Sequence, residues 1–197
     1  MLKDIGFKNK NSKSSKLFDK YCWTFYEEDL LPNEYVKSCN DIYTSLTGAT
    51  NNALNGKIFE LIIATLCIKE NIKPIFCQAK MAFVPNIDYD IILYTKEQYP
   101  ISLSLKTSMR ERYKQADLEA IALKYVHRKA KCYLLSLNKN EVTEIKNKIE
   151  NGSVLGLDAA ICVTDEEFNN FIDDLKAKEY IKPGNIEIIT AGTVIDK

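Results

Sequence analysis

The chain has a single histidine, His127, among its 197 residues. A multi-histidine metal centre or a histidine proton relay therefore has little to work with. Its six cysteines, at positions 22, 39, 67, 77, 132 and 162, form no CxxC pair and mostly sit inside apolar runs. That pattern reads as small, reduced core residues of a cytoplasmic protein, not as a disulfide framework or a zinc site. Nothing approaches the roughly 18 consecutive apolar residues that a membrane helix needs. The longest apolar stretch, residues 59–68, is too short and carries Glu60. Residues 1–20 lack the apolar segment of a signal peptide and are lysine-rich instead. An excess of one charge is missing too: 27 basic side chains balance 27 acidic ones. Bulk charge thus gives no indication of a nucleic-acid partner.

What is present is an ordinary globular composition, 46% hydrophobic and 27% charged. The length suits one domain, 1–197, with a sizeable core. Residues 1–50 are expected to form an N-terminal arm and short helices, and 51–197 an α/β core. Asn51 or Asn52 can cap a helix running to about residue 70, and Pro74 rules out its continuation. Two short extended runs are expected at 75–77 and 81–84, and strands at 89–94 and 101–106 joined by a turn over 95–100. A helix is predicted over 113–129, a strand over 132–137, a helix over 140–150 and a strand over 159–163. A helix over 165–178, capped by Thr164, and a strand over 186–189 complete the series. This order predicts an α/β fold, a central sheet with helices on both sides.

The strand Ile101-Ser102-Leu103-Ser104-Leu105-Lys106 alternates strictly, so Ser102, Ser104 and Lys106 share one face. Asp88 and Asp90 share a face of the preceding strand. A hairpin centred on Gln98 would set Asp90 opposite Lys106, with Ser104 diagonal to it. A two-residue shift of register would put Asp88 there instead. Asp90 is preferred because it immediately precedes the apolar run Ile91-Ile92-Leu93. An acid and a lysine then converge, although an ordinary cross-strand ion pair has the same pattern. Glu60 lies in a helix that is apolar nearly all round, where a carboxylate is costly unless paired or metal-bound. Glu119 borders the apolar face of the helix after Lys106, beside Ala122 and Leu123. Two of the chain's three arginines fall in one tripeptide, Arg110-Glu111-Arg112. Arginine offers a planar, two-pronged donor that lysine does not.

Taken in order, these residues resemble the core of the PD-(D/E)xK nucleases, over about residues 51–130. There, one acid opens a strand, and a second acid and a lysine sit two apart on the next. Asp90 matches the first acid and Lys106 the lysine, but Ser104 stands where the second acid belongs. The chain is similar in this to a branch of Type II restriction enzymes that reads SxK. That branch recovers the carboxylate from the following helix and cuts CCGG-type and CC-x-GG-type sites. Glu119, separated from Lys106 by twelve residues, matches that position. Glu60 matches the helix glutamate commonly placed beside the metal.

The resemblance implies a restriction-endonuclease-like mixed sheet and Mg²⁺-dependent cleavage of double-stranded DNA by a homodimer. It implies Asp90, Glu119 and Glu60 as metal ligands, Lys106 as the catalytic lysine, and Ser104 in the catalytic site as a spectator or a weak support behind the metal ligands. Arg110, Glu111 and Arg112 would read C·G pairs, because arginine can donate to guanine O6 and N7 and glutamate can accept from cytosine N4. Ser108 and Lys114 would join them at the DNA. A structure-specific or repair nuclease on the same core, or a non-catalytic DNA-binding module, are the alternatives.

Overall fold

The computed structural model describes residues 1–7, 12–108, 111–184 and 189–195. Three helices lead: α1 (Lys13–Tyr21), α2 (Trp23–Glu27) and α3 (Pro32–Thr47). The Ser12 hydroxyl starts α1 by accepting from Ser15 N at 3.1 Å. Pro32 opens α3, and Gly48 ends it at φ 66°, a conformation glycine adopts at little cost. Then comes α4 (Asn52–Lys69), which buries nine of its residues. Asn51 Oδ1 caps it by accepting from Leu54 N at 3.0 Å.

The rest alternates β1 (Ile75–Met81), β2 (Tyr89–Tyr94), β3 (Pro100–Lys106), α5 (Arg112–Val126), β4 (Lys131–Ser136), α6 (Lys139–Glu150), β5 (Ala159–Cys162), α7 (Glu167–Lys176) and β6 (Ile189–Ile195). The six strands form one mixed sheet in the order β5-β4-β3-β2-β1-β6. Strands β3, β4 and β5 run parallel, whereas β1 pairs antiparallel with both β2 and β6, and β2 antiparallel with β3. One apolar cluster packs α1, α3, α4 and α7 on one side of the sheet. A second packs α5 and α6 on the other. The expected α/β architecture, with helices on both faces, is the one observed.

Several details differ from the sequence-based expectation. The run expected at 75–77 continues to Met81 as β1, with Gln78 at φ +49°, whereas the run expected at 81–84 is replaced after Met81 by a turn in which Val84 N donates to Met81 O at 3.1 Å. Helix α7 starts later than Thr164 predicts and has no side-chain cap. The last strand is β6 at Ile189–Ile195; residues 186–188 of the expected strand lie outside the described residues. Parts of the presumed N-terminal arm are packed, with Leu2 and Phe18 fully buried.

The hairpin register also differs. Gln98 N donates to Thr95 O at 2.9 Å, Thr95 N donates to Tyr99 O at 3.0 Å, and Gln98 adopts φ +63°. A turn ending on a left-handed residue makes a three-residue loop. It centres the hairpin on Glu97, not on Gln98, and pairs Ile91 with Leu103 and Ile92 with Ser102. Continued by one step, that register sets Asp90 opposite Ser104, with Lys106 on the diagonal.

Candidate active site

The site forms where β2 and β3 meet, with α4 and α5 approaching from opposite faces. The Asp90 carboxylate is fixed twice through Oδ2. It accepts from Leu105 N at 2.7 Å and from Lys106 Nζ at 3.2 Å. The diagonal geometry suits this contact, because a long side chain spans it. Both side chains are largely enclosed, at 17% and 13% exposure for Asp90 and Lys106. Asp88 is not part of this pair. It is exposed and lies 3.8 Å from Lys80, so the structure places Asp90 beside the lysine.

Glu60 reaches the site from α4. Its Oε2 accepts from Gln78 Nε2 at 3.0 Å. Burial, and then the negative charge of Asp90, push its carboxyl up to about 7, while Gln78, Lys106 and Lys57 oppose the shift. Glu119 reaches it from α5. Burial raises its carboxyl above the usual range, against a 2.7 Å hydrogen bond from Gln115 Nε2 and the charge of Lys106. Asp90 and Lys106 thus influence both glutamates electrostatically. Among the described residues, however, no three His, Cys, Asp or Glu side chains converge closely enough to form a ready-made metal cage.

Ser104, where the sequence pattern expects an acid, is 8% exposed. Its Oγ is buried without a hydrogen-bond partner among the described residues. A buried hydroxyl without a partner is uncommon, because leaving it unsatisfied costs free energy.

Helix α5 is held in place by its neighbour loop. Asp117 Oδ1 accepts from Leu155 N, Gly156 N and Leu157 N at 3.1, 2.5 and 3.3 Å. A Cβ at Gly156 would lie 2.4 Å from Asp117 O, so only glycine permits this approach. From the sheet, Tyr89 Oη donates to Glu119 O at 3.0 Å. These contacts set the height of Glu119 relative to the Asp90–Lys106 pair.

Of the residues expected at the DNA, Ser108, Glu111, Arg112 and Lys114 are exposed just beyond β3 and in the first turn of α5. Glu111 pairs with Lys114, which holds the Glu111 carboxyl below its usual range and the lysine above its own. Such an exposed pair is weak and exchanges readily for another partner. Arg110 lies outside the described residues.

Three features of the site were not anticipated from sequence. A cavity of about 350 Å³ is lined by Glu60, Asp90, Gln78 and Lys57, and also by Ser12, Ser14 and Ser15. The start of α1 therefore walls the site, although nothing in the polar lead-in signalled it. Lys57, one turn before Glu60, also lines the cavity. Gln78 had one signal: it is the polar residue that breaks the run Ile75-Phe76-Cys77.

No protein-family model matches the chain, and no curated protein matches it in sequence. Among solved structures it is similar to a complex of the restriction endonuclease PspGI with substrate DNA. That likeness covers 87% of this chain and 81% of the other, with a TM-score of 0.54 and 14% identity. The chain thus has a restriction-endonuclease-like fold.

Proposed function

We propose that the chain is a sequence-specific endonuclease that hydrolyses phosphodiester bonds in double-stranded DNA. The observation that carries this reading is the enclosed Asp90–Lys106 pair, flanked by two carboxylates of raised pKa, in a fold shared with a restriction endonuclease bound to DNA. Clustered perturbed carboxylates beside a cavity are a mark of functional sites.

The donor set suits Mg²⁺. That ion takes oxygen ligands, keeps several waters and needs only one or two carboxylates together with substrate phosphate. Asp90 would hold it, with Glu119 in place of the missing strand acid and Glu60 binding or orienting from α4. When bound, it supplies a more acidic attacking water and neutralises charge building on the phosphate. Asp90 keeps one face of its carboxylate fixed by the Leu105 N–H, so its orientation does not depend on Lys106. The Lys106 ammonium, already beside Asp90, orients the attacking water and stabilises the negative charge of the transition state. Ser104 leaves room and takes no part in the chemistry.

Glu111 and Arg112, with Arg110, would read C·G pairs in the major groove, while Lys114 and Ser108 contact the backbone. A short palindromic site read by a two-fold homodimer fits this arrangement. Such an enzyme would work in the cytoplasm, where the six free cysteines stay reduced.

The test is digestion of plasmid and phage DNA in Mg²⁺, followed by sequencing of the ends. Discrete fragments with one common end sequence support the reading. Smears, or cutting confined to branched DNA, point to a structure-specific or repair nuclease. Salt-dependent binding without cutting points to a non-catalytic DNA-binding module.

A further inference from the structure

Gln78 stands at a break in the sheet. Its neighbours Cys77 and Ala79 pair with Ile91 and Tyr89, so Gln78 lies opposite Asp90. Residues two apart on a strand normally share a face. Here they do not: Cys77 packs with the α4 cluster and Ala79 belongs to the α5 cluster. The same reversal occurs on β2, where Ile91 faces α4 and Tyr89 faces α5. Both strands change face at one level, and the two residues at that level are Gln78 and Asp90. The reversal uses a left-handed backbone at Gln78, φ +49°, which side chains other than glycine, asparagine and aspartate rarely adopt.

A bend alone would be served better by glycine, which takes this conformation freely. Among the described residues the glutamine side chain makes one hydrogen bond, from Nε2 to Glu60 Oε2 at 3.0 Å, and both line the cavity with Asp90 and Lys57. Glu60 is repelled by Asp90 and has a competing cation in Lys57, three residues earlier on the same helix. Among the described residues it makes no ion pair with Lys57. An ion pair would cancel the charge that a metal needs, whereas a neutral amide directs a carboxylate and leaves its charge intact.

Resting on the nuclease reading above, we propose that Gln78 is a positioning residue: it holds the Glu60 carboxylate on the Asp90 side of the cavity, from a backbone conformation kept for that purpose. The substitution that separates this role from sheet shape is Gln78→Gly. It relaxes the backbone and removes the side chain that carries the amide.

The measurement is Mn²⁺ binding by the full chain without DNA, with free Mn²⁺ read by electron paramagnetic resonance, beside Tm and cleavage rate. Gln78→Gly should keep or raise Tm and weaken Mn²⁺ binding by roughly 10–100-fold, the usual loss when a group that orients a metal ligand is removed. Its kcat should fall while KM for DNA stays near that of the wild type. Gln78→Asn also tolerates the left-handed backbone, but its amide is one methylene too short to reach Glu60. It should behave like Gln78→Gly, and it decides the matter if the glycine variant is too unstable to assay. Wild-type Mn²⁺ affinity in either folded variant overturns the proposal and leaves the nuclease reading standing. A wild-type chain that neither binds Mn²⁺ nor cuts DNA overturns both.

Discussion

Lys106 Nζ lies 3.2 Å from Asp90 Oδ2, and the backbone N–H of Leu105 donates to the same oxygen at 2.7 Å. The strand that supplies the lysine therefore also fixes the acid. Removal of the lysine leaves Asp90 hydrogen-bonded and in position. This pair separates chemistry from folding.

Glu119→Ala should lose most of the cleavage activity, by roughly 100-fold or more if the carboxylate stabilises the transition-state charge. Ser104→Glu in that background should restore part of it, because the β2–β3 register, continued by one step, sets residue 104 opposite Asp90. Cleavage rates of the single and double variants check this. A Glu119→Ala protein that cuts like the wild type removes the swapped-carboxylate assignment.

The raised carboxyl of Glu60 has two pH consequences. Between about 4.5 and about 7 the folded chain retains a proton that the unfolded chain has lost. This group's contribution to stability therefore declines as pH rises through that window and levels off above it. Glu60→Gln should flatten the decline in a series of Tm measurements. Cleavage runs the opposite way, since the metal competes with that proton, and wild-type activity should fall as pH drops below about 7. A Tm slope in Glu60→Gln as steep as in the wild type would assign the effect to other groups.

Gly156→Ala tests the seating of α5. The new Cβ would lie 2.4 Å from Asp117 O and 2.7 Å from Ile121 N, both backbone atoms that cannot turn aside. Forced overpacking of this kind costs about 1–3 kcal/mol, a fall of several degrees in Tm. Because α5 carries Glu119, cleavage at a temperature where the variant is folded should also slow. Thermal melts and rates together check it, and an unchanged Tm would mean that the loop is not held as described.

Arg112→Ala and Glu111→Ala should weaken discrimination between sites more than overall DNA affinity. Loss of a base contact is worth about 1–3 kcal/mol at the base pair it reads. Lys114→Ala should instead weaken binding to every sequence and flatten its salt dependence. Binding to cognate and scrambled duplexes at several salt concentrations distinguishes them. Equal losses on both duplexes for Arg112→Ala would count against base readout.

Much of the fold was legible because its signals are local. The Asn51 cap, the apolar α4 and the alternation in β3 each write one element into a few residues. The face of Lys106 was legible for the same reason, since alternation in β3 assigns it, but that of Asp90 was not, because β2 changes face at that residue. What sequence could not supply depended on backbone detail or distant packing. The three-residue loop ending at Gln98 shifted the pairing of Asp90 from Lys106 to Ser104. The strand from Ile75 continues through the left-handed Gln78 to Met81, and a turn takes the place of the second expected run. Ser12, Ser14 and Ser15 line the cavity while Leu2 and Phe18 are buried in the α4 side of the core, long-range packing that no local pattern announces.

The most direct test is Lys106→Ala, assayed for Mg²⁺-dependent cleavage and for DNA binding in the same preparation. The expected result is a folded protein that binds DNA close to wild-type affinity and cuts at least about 100-fold more slowly. Cleavage at the wild-type rate would contradict the assignment of this site.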